Sequence, residues 1–358
     1  MARALGLANL LDHQVGGRRN LIINGAMQVA QRGPSEPGIT TSGYYTVDRH
    51  NLFLSGLGTW TQTQETDAPD GFANSLKLKC TTADASPAAG DALFVMHKLE
   101  GQDLQHLKKG TSSAESVTAS FWVKSNKTGT YVFELLDQDN SARHINKSFT
   151  VDASGTWEYK TITFEGDATG AFDNDNEASL QISIWLGGGS NYNSGTLQTS
   201  WGALSQTNRA VGNVNLADAL DNYFQITGVQ LEVGETATPF EHRSYGEELA
   251  LCQRYYYKIG ISGNTAGIGW FYTNANAYLN IYSPHGMRTS APSLETPNVT
   301  NGYTLFSNAG SSSTDELRVS NMGMFNSEVY NFGMSGTAGE AGQWVLSNGA
   351  YIALEDEI

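Results

Sequence analysis

Two cysteines in 358 residues are too few for a disulfide framework. Cys80 and Cys252 read as small buried hydrophobes, with a single disulfide between them as the alternative, so stability has to come from core burial or self-association. Charged residues make up only 16% of the chain, against roughly 25% in an average soluble protein. Basic residues are the scarcest of these. The 21 Lys and Arg face 36 Asp and Glu, giving a net charge of −15 and a pI of about 4.8. A phosphate backbone needs a basic face, so the expectation is no nucleic-acid partner. An acidic surface is also repelled by anionic envelopes at long range, which leaves binding to specific short-range contacts. No run of about 18 apolar residues occurs, so no helical membrane span is expected. Met1 to Asn20 lacks the continuous apolar stretch of roughly 7 to 15 residues that marks a signal peptide, because charge and glycine follow Leu10-Leu11.

Catalytic signatures are missing too. There is no G-x-S-x-G, no H-E-x-x-H, no Walker loop and no glycine-rich dinucleotide turn, and the seven histidines are scattered. Glu134 with Asp137 or Asp139 comes nearest to the two-carboxylate arrangement of a glycosidase, in which the groups stand roughly 5 to 9.5 Å apart. They read instead as solvated strand-edge carboxylates. The expectation is a protein that is not an enzyme.

Glycine, at 39 residues, and abundant Ser, Thr and Asn give a turn-rich, all-β composition. Strand alternation is plain in several runs. Val117, Ala119, Phe121 and Val123 alternate with Thr118, Ser120, Trp122 and Lys124; Tyr131, Phe133 and Leu135 with Val132 and Glu134; Leu180, Ile182, Ile184 and Leu186 with Gln181, Ser183 and Trp185. Each predicts a strand with one buried and one solvated face. Short strands separated by Gly- and Asn-rich turns predict a jelly-roll-like β-sandwich. The stretch from Gln225 to Tyr257 is the most informative. A strand through Phe224, Ile226, Gly228, Val229, Leu231 and Val233, its alternation taken as unbroken, stops at Gly234. A helix over 246–253 follows, with Glu247 and Glu248 in its first turn, and then strand-prone Tyr255-Tyr256-Tyr257. The expected organisation is an N-terminal arm over 1–20, a sandwich over 21–245 and a smaller β-domain over 246–358 with that helix as its joint. Leu5, Leu10 and Leu11 give the arm an apolar character suited to docking.

Flat aromatic rings on solvated strand faces suit a sugar, because a ring covers the apolar face of a pyranose while nearby polar groups take its hydroxyls. Trp122 and Trp185, on the faces marked as solvated, and Trp201, in a loop, are the candidates. The alternative is that another sheet or subunit covers them. Trp60, Trp157, Trp270 and Trp344 read as core or interface. Arg254 is read as anchoring a carboxylate at the joint. Asp173, Asp175 and Glu177 place oxygens at alternate positions, as a Ca²⁺ ligand run does, but without the glycine and distal Glu of an EF-hand loop. A solvated acidic turn is the default reading and a Ca²⁺ site the alternative, and no cofactor is otherwise expected.

Several stretches carry a resemblance: Asn20 to Gly33 (NLIINGAMQVAQRG), Tyr45 to Arg49 (YTVDR), Leu99 to Leu104 (LEGQDL), the run QLEVG–ATPFE–R–EEL–CQRYY from Gln230 to Tyr256, and Met287-Arg288 followed by Ala291-Pro292. In this order, over roughly residues 20 to 295, they resemble bacteriophage tail-fibre and receptor-binding proteins of phages infecting marine bacteria and cyanobacteria. His50 stands where that family more often has an aromatic residue such as Trp, and the last sixty or so residues match none of it. The resemblance implies a virion protein, in a tail fibre or a capsid-attached fibre, whose sandwich resembles a carbohydrate-binding module. It further implies a homotrimer, contact with other virion proteins through the arm, and recognition of a bacterial surface polysaccharide. Alternatives are a purely structural fibre, knob or decoration protein, and a glycan depolymerase.

Overall fold

The computed structural model describes residues 19–260, 265–308, 310–332, 334–347 and 349–358. The arm residues Leu5, Leu10 and Leu11 lie outside them.

The first unit is built from β1 Ser35–Ile39, β2 Gly43–Tyr44, β3 Asn51–Ser55, β4 Thr59–Glu65, β5 Ser75–Thr82, β6 Ala92–Glu100, β7 Val117–Ser125, β8 Gly129–Asp137, β9 Arg143–Val151, β10 Glu158–Phe164, β11 Ala178–Gly188, β12 Gly202–Ala203 and β13 Tyr223–Val233. They form two antiparallel sheets, a six-stranded β1-β4-β5-β13-β7-β10 and a seven-stranded β12-β9-β8-β11-β6-β3-β2. Period-two patterning sends one row of each strand between the sheets. Phe121, Val123, Phe224 and Ile226 from the first meet Tyr131, Phe133, Ile182 and Ile184 from the second in a single core. The fold is an all-β sandwich.

Strand β13 does not keep its alternation. Thr227 pairs with Trp122 and Gln230 with Ser120, so Gly228 and Val229 together oppose one residue of β7. This β-bulge moves the inward row from Phe224 and Ile226 to Val229 and Leu231, all of them buried. Gly228 adopts a φ of +63°, which a side chain would strain. The segment Asn20–Gly25 lies against the bulged end. Leu21 N donates to Leu231 O at 2.9 Å, Val229 N to Gly25 O at 2.9 Å and Asn20 Nδ2 to Val229 O at 3.0 Å.

A helix, α1 Tyr245–Gln253, follows. Ser244 and Glu247 form a reciprocal capping box, and Glu247 and Glu248 occupy the first turn. The second unit comprises β14 Tyr256–Ile259, β15 Thr265–Thr273, β16 Asn276–Tyr282, β17 Ser293–Glu295, β18 Tyr303–Ser307, β19 Gly310–Thr314, β20 Arg318–Asn321, β21 Asn326–Phe332, β22 Ala341–Leu346 and β23 Ile352–Glu355. A three-stranded sheet, β14-β23-β17, and a seven-stranded one, β19-β18-β22-β15-β16-β21-β20, share a core that includes Phe271, Leu279, Val329, Trp344 and Ile352. Cys80 and Cys252 are both free and buried, in separate clusters.

Four arginines tie the units together. Arg49, with no exposed surface, bonds Glu357 and Lys98 O and lies 3.4 Å from the centre of the Tyr255 ring. Arg32 covers the Tyr256 ring at 3.6 Å and pairs with Glu355 and Glu357. Arg254 forks onto Glu100 at 2.9 and 2.8 Å, and Tyr255 Oη donates to the same carboxylate. Arg288 holds Asp356 and Glu177. The acidic end Glu355-Asp356-Glu357, to which the sequence assigned no role, is therefore a clasp.

Candidate functional site

The outward row of β7 runs Thr118, Ser120, Trp122, Lys124, and that of its neighbour β10 runs Tyr159, Thr161, Thr163. Their antiparallel register sets Trp122 directly beside Tyr159. The two rings are 5.3 Å apart and tilted by 48°. Trp122 is half-buried and Tyr159 is 46% exposed. Facing them is a second aromatic group, in which Phe72, Phe240 and His242 pack on one another at 4.9 to 5.4 Å between ring centres. Between these walls lies an open trough of about 390 Å³, with Ser120 and Gly228 among its lining. A second hollow of about 470 Å³ shares Tyr159 and Pro239 with it and is lined by Thr161, Thr163, Glu235 and Thr236. The two adjoin at Tyr159 and Pro239 on the outer face of the six-stranded sheet, and the pair is referred to as the trough.

The bulge and a stapled loop create this shape. A Cβ on Gly228 would stand 2.6 Å from the Phe72 ring, so the wall residue fits only because position 228 has no side chain. The loop carrying Phe240 and His242 is held by the outward polar row of β13. Glu232 accepts Thr238 N at 2.8 Å and Thr238 Oγ1 at 2.6 Å, and Gln230 Oε1 accepts Glu241 N at 2.8 Å. That loop runs extended. Phe240 and His242 face the trough, while Glu241 receives the amides of Arg19 and Asn20 and Arg243 reaches Ile22 O and Glu248 on the other side. A rigid pair of aromatic walls flanked by hydroxyls can hold a ligand with flat apolar faces and polar edges.

The three tryptophan candidates do not converge. Trp185 does oppose the inward row of β11, but the solvated face expected for it is covered. Its ring has no exposed surface and packs with Phe94 and Ala210 under the chain from Ser190 to Ala210, and its Nε1 donates to Glu134 at 3.1 Å. No ligand can stack on it. Trp201 leans on the main core and donates Nε1 to Glu165 O at 2.8 Å, away from the trough. Of the three, only Trp122 lines it. Trp157, on the same outer side, donates to Asp67 at 3.2 Å.

Glu134 and Asp137 are not solvated strand-edge carboxylates. Both are fully buried, and each is closed by its own cation: Glu134 by a two-pronged Arg209 at 2.8 and 2.7 Å, Asp137 by Lys109 at 2.5 Å. Burial alone would push the Glu134 carboxyl up; the Arg209 guanidinium prevails and brings it down to about 2. Asp139 instead accepts the Asp173 amide at 3.0 Å. Two of the three candidate Ca²⁺ ligands make contacts within the chain. Asp175 accepts the Glu177 amide at 3.0 Å and Glu177 pairs with Arg288 at 3.2 Å. Among the described residues no three His, Cys, Asp or Glu side chains gather for a metal.

Sequence reasoning missed Phe72, Tyr159, Phe240 and His242. Tyr159 carried a signal, since it alternates with Lys160 and Ile162 as the outward partner of Trp122. Phe72 carried none, because it belongs to a turn far from the trough in sequence.

No protein-family model matches the chain, and no curated protein matches it. Solved structures do. One is the tailspike protein 4 enzymatically active domain of bacteriophage CBA120, with 11% identity, 60% of this chain covered and a TM-score of 0.32; the chain spans only 21% of that protein. Another is a family 11 carbohydrate-binding module from Clostridium thermocellum in complex with a β-1,3-1,4-mixed-linked tetrasaccharide, with 11% identity, 58% of this chain and 98% of the module covered, and a TM-score of 0.29. A third is TmCBM61 in complex with β-1,4-galactotriose, with 9% identity, 61% of this chain and 100% of that one covered, and a TM-score of 0.28. The likeness is one of fold alone.

Proposed function

We propose that this chain is a virion fibre protein that attaches its particle to a host cell by binding a surface glycan in the Trp122–Tyr159 trough. One observation carries the reading: two aromatic walls, Trp122 with Tyr159 and Phe72 with Phe240 and His242, are left open to solvent and bordered by threonine hydroxyls. A sugar ring offers axial C–H groups to such walls and equatorial hydroxyls to the border. The role is binding without turnover and without a cofactor, and a homotrimer, anchored through the N-terminal arm, would multiply a weak single-site affinity.

The test is titration of the full chain against a polysaccharide panel by affinity electrophoresis, for the native protein, Trp122→Ala and Tyr159→Ala. Each alanine removes an aromatic anchor, so affinity is expected to fall about tenfold or more, equivalent to roughly 1.4 kcal/mol or more. Folding is expected to be unaffected. Full binding by both variants removes the trough from consideration. Release of reducing ends from the bound glycan would move the protein to the depolymerase class instead.

A further inference from the structure

We infer that the trough selects uncharged glycan chains and excludes acidic ones, with Asp70 and Glu235 as the specificity-determining residues. This rests on the glycan-binding reading above.

The residues that line the trough include two carboxylates, Asp70 beside the Phe72 wall and exposed Glu235 beside the threonines, and no lysine or arginine. Every cation around the rim is engaged elsewhere. Lys124, next in the outward row to Trp122, binds Asp67 at 2.7 Å. Lys160, next to Tyr159, binds Glu158 at 2.7 Å and Asp152 at 3.3 Å. Arg243, one residue from His242, is turned to Glu248, Glu241 and the carbonyls of the Asn20 segment. Arg19 points to Pro239 O and Glu232.

A uronate or sialate carboxylate seated between the aromatic walls would meet Asp70, and one seated among the threonines would meet Glu235, with no lysine or arginine lining either hollow, on a chain whose net charge is already −15. Neutral hydroxyls, in contrast, can donate to both carboxylates. The discrimination comes from a repulsive element and not only from fit. Both carboxylates are near solvent, so salt weakens the repulsion.

The full chain is titrated at pH 8, where an ordinary histidine is neutral, against neutral polysaccharides (glucan, galactan, mannan) and acidic ones (polygalacturonate, alginate), in low and high salt. The native protein is expected to favour the neutral class by about tenfold or more in low salt. The Asp70→Asn/Glu235→Gln double variant should bring the neutral-to-acidic affinity ratio close to unity, as should high salt for the native protein. Equal or tighter binding of acidic chains in low salt, or an unchanged ratio in the double variant, overturns the selectivity while leaving glycan binding intact. Binding of neither class overturns the glycan reading and the selectivity with it.

Discussion

The joint and the trough lie on two sides of one extended segment, and they treat polar atoms in opposite ways. At the joint, Glu241 and Arg243 turn inward to a region where charges are buried and nearly saturated: Arg49 under Tyr255, Arg254 on Glu100, Arg288 on Asp356. On the trough side, Phe240 and His242 turn outward and leave ring faces open. Buried ion pairs need fixed, two-pronged geometry with every hydrogen bond made, which makes such a region rigid and specific. Open aromatic faces need only support from behind. The runs Asn20–Gly33, Tyr45–Arg49, Leu99–Leu104, Cys252–Tyr256 and Met287-Arg288 converge at the joint.

The contrast can be broken from either side. The largest effect is expected for Arg49→Ala, which removes the closer of two cations on buried Glu357 and leaves only Arg32 at 3.4 Å. Loss of one partner of a buried pair costs roughly 3–5 kcal/mol, read as a drop in the urea midpoint, while glycan affinity of the folded protein stays as it was. Stability unchanged by this variant would mean that the clasp contributes little.

Next comes the acid response of Glu134. Its folded carboxyl sits at about 2, below the ordinary 4.5, so its stabilisation is fully present above about pH 4.5 and is lost as pH falls towards 2. The total is about 3 kcal/mol at about 1.4 kcal/mol per unit. Urea melts across this window should show that slope in the native protein and its loss in Glu134→Gln, which is also less stable at neutral pH because Arg209 loses its counter-charge. A slope that persists in the variant assigns the acid sensitivity to another carboxylate.

The smallest stability effect is expected for Gly228→Ala. A side chain at φ +63° costs about 1–3 kcal/mol, and it also displaces Phe72 from the trough wall. Calorimetry should record a modest fall in Tm together with a marked loss of glycan affinity, whereas unaltered affinity would show that Phe72 is not needed for binding.

Much of the fold was legible in order. The rows of β7, β8 and β11 follow from a period of two, and the helix over 246–253 from its acidic first turn. Solvation of a strand face was less legible. Trp185 and Glu134 sit on rows that alternate as expected, yet the chain from Ser190 to Ala210 folds back over them, and alternation cannot register a distant covering loop. The bulge was present as the change of phase between Ile226 and Val229. A glycine within an apolar run hides such a change, because it counts for either face.

The amino-acid order by itself determined the all-β class and the acidic balance. These depend on neighbours within a few residues and on totals, which need no folding to be read. Only tertiary structure decided which aromatic rings stay open, that the acidic C-terminus closes on arginines hundreds of residues away, and that Phe72, Trp122, Tyr159 and Phe240 share one trough. Each is a matter of what the chain brings back over a given surface, and burial of that kind is a property of the packed molecule as a whole.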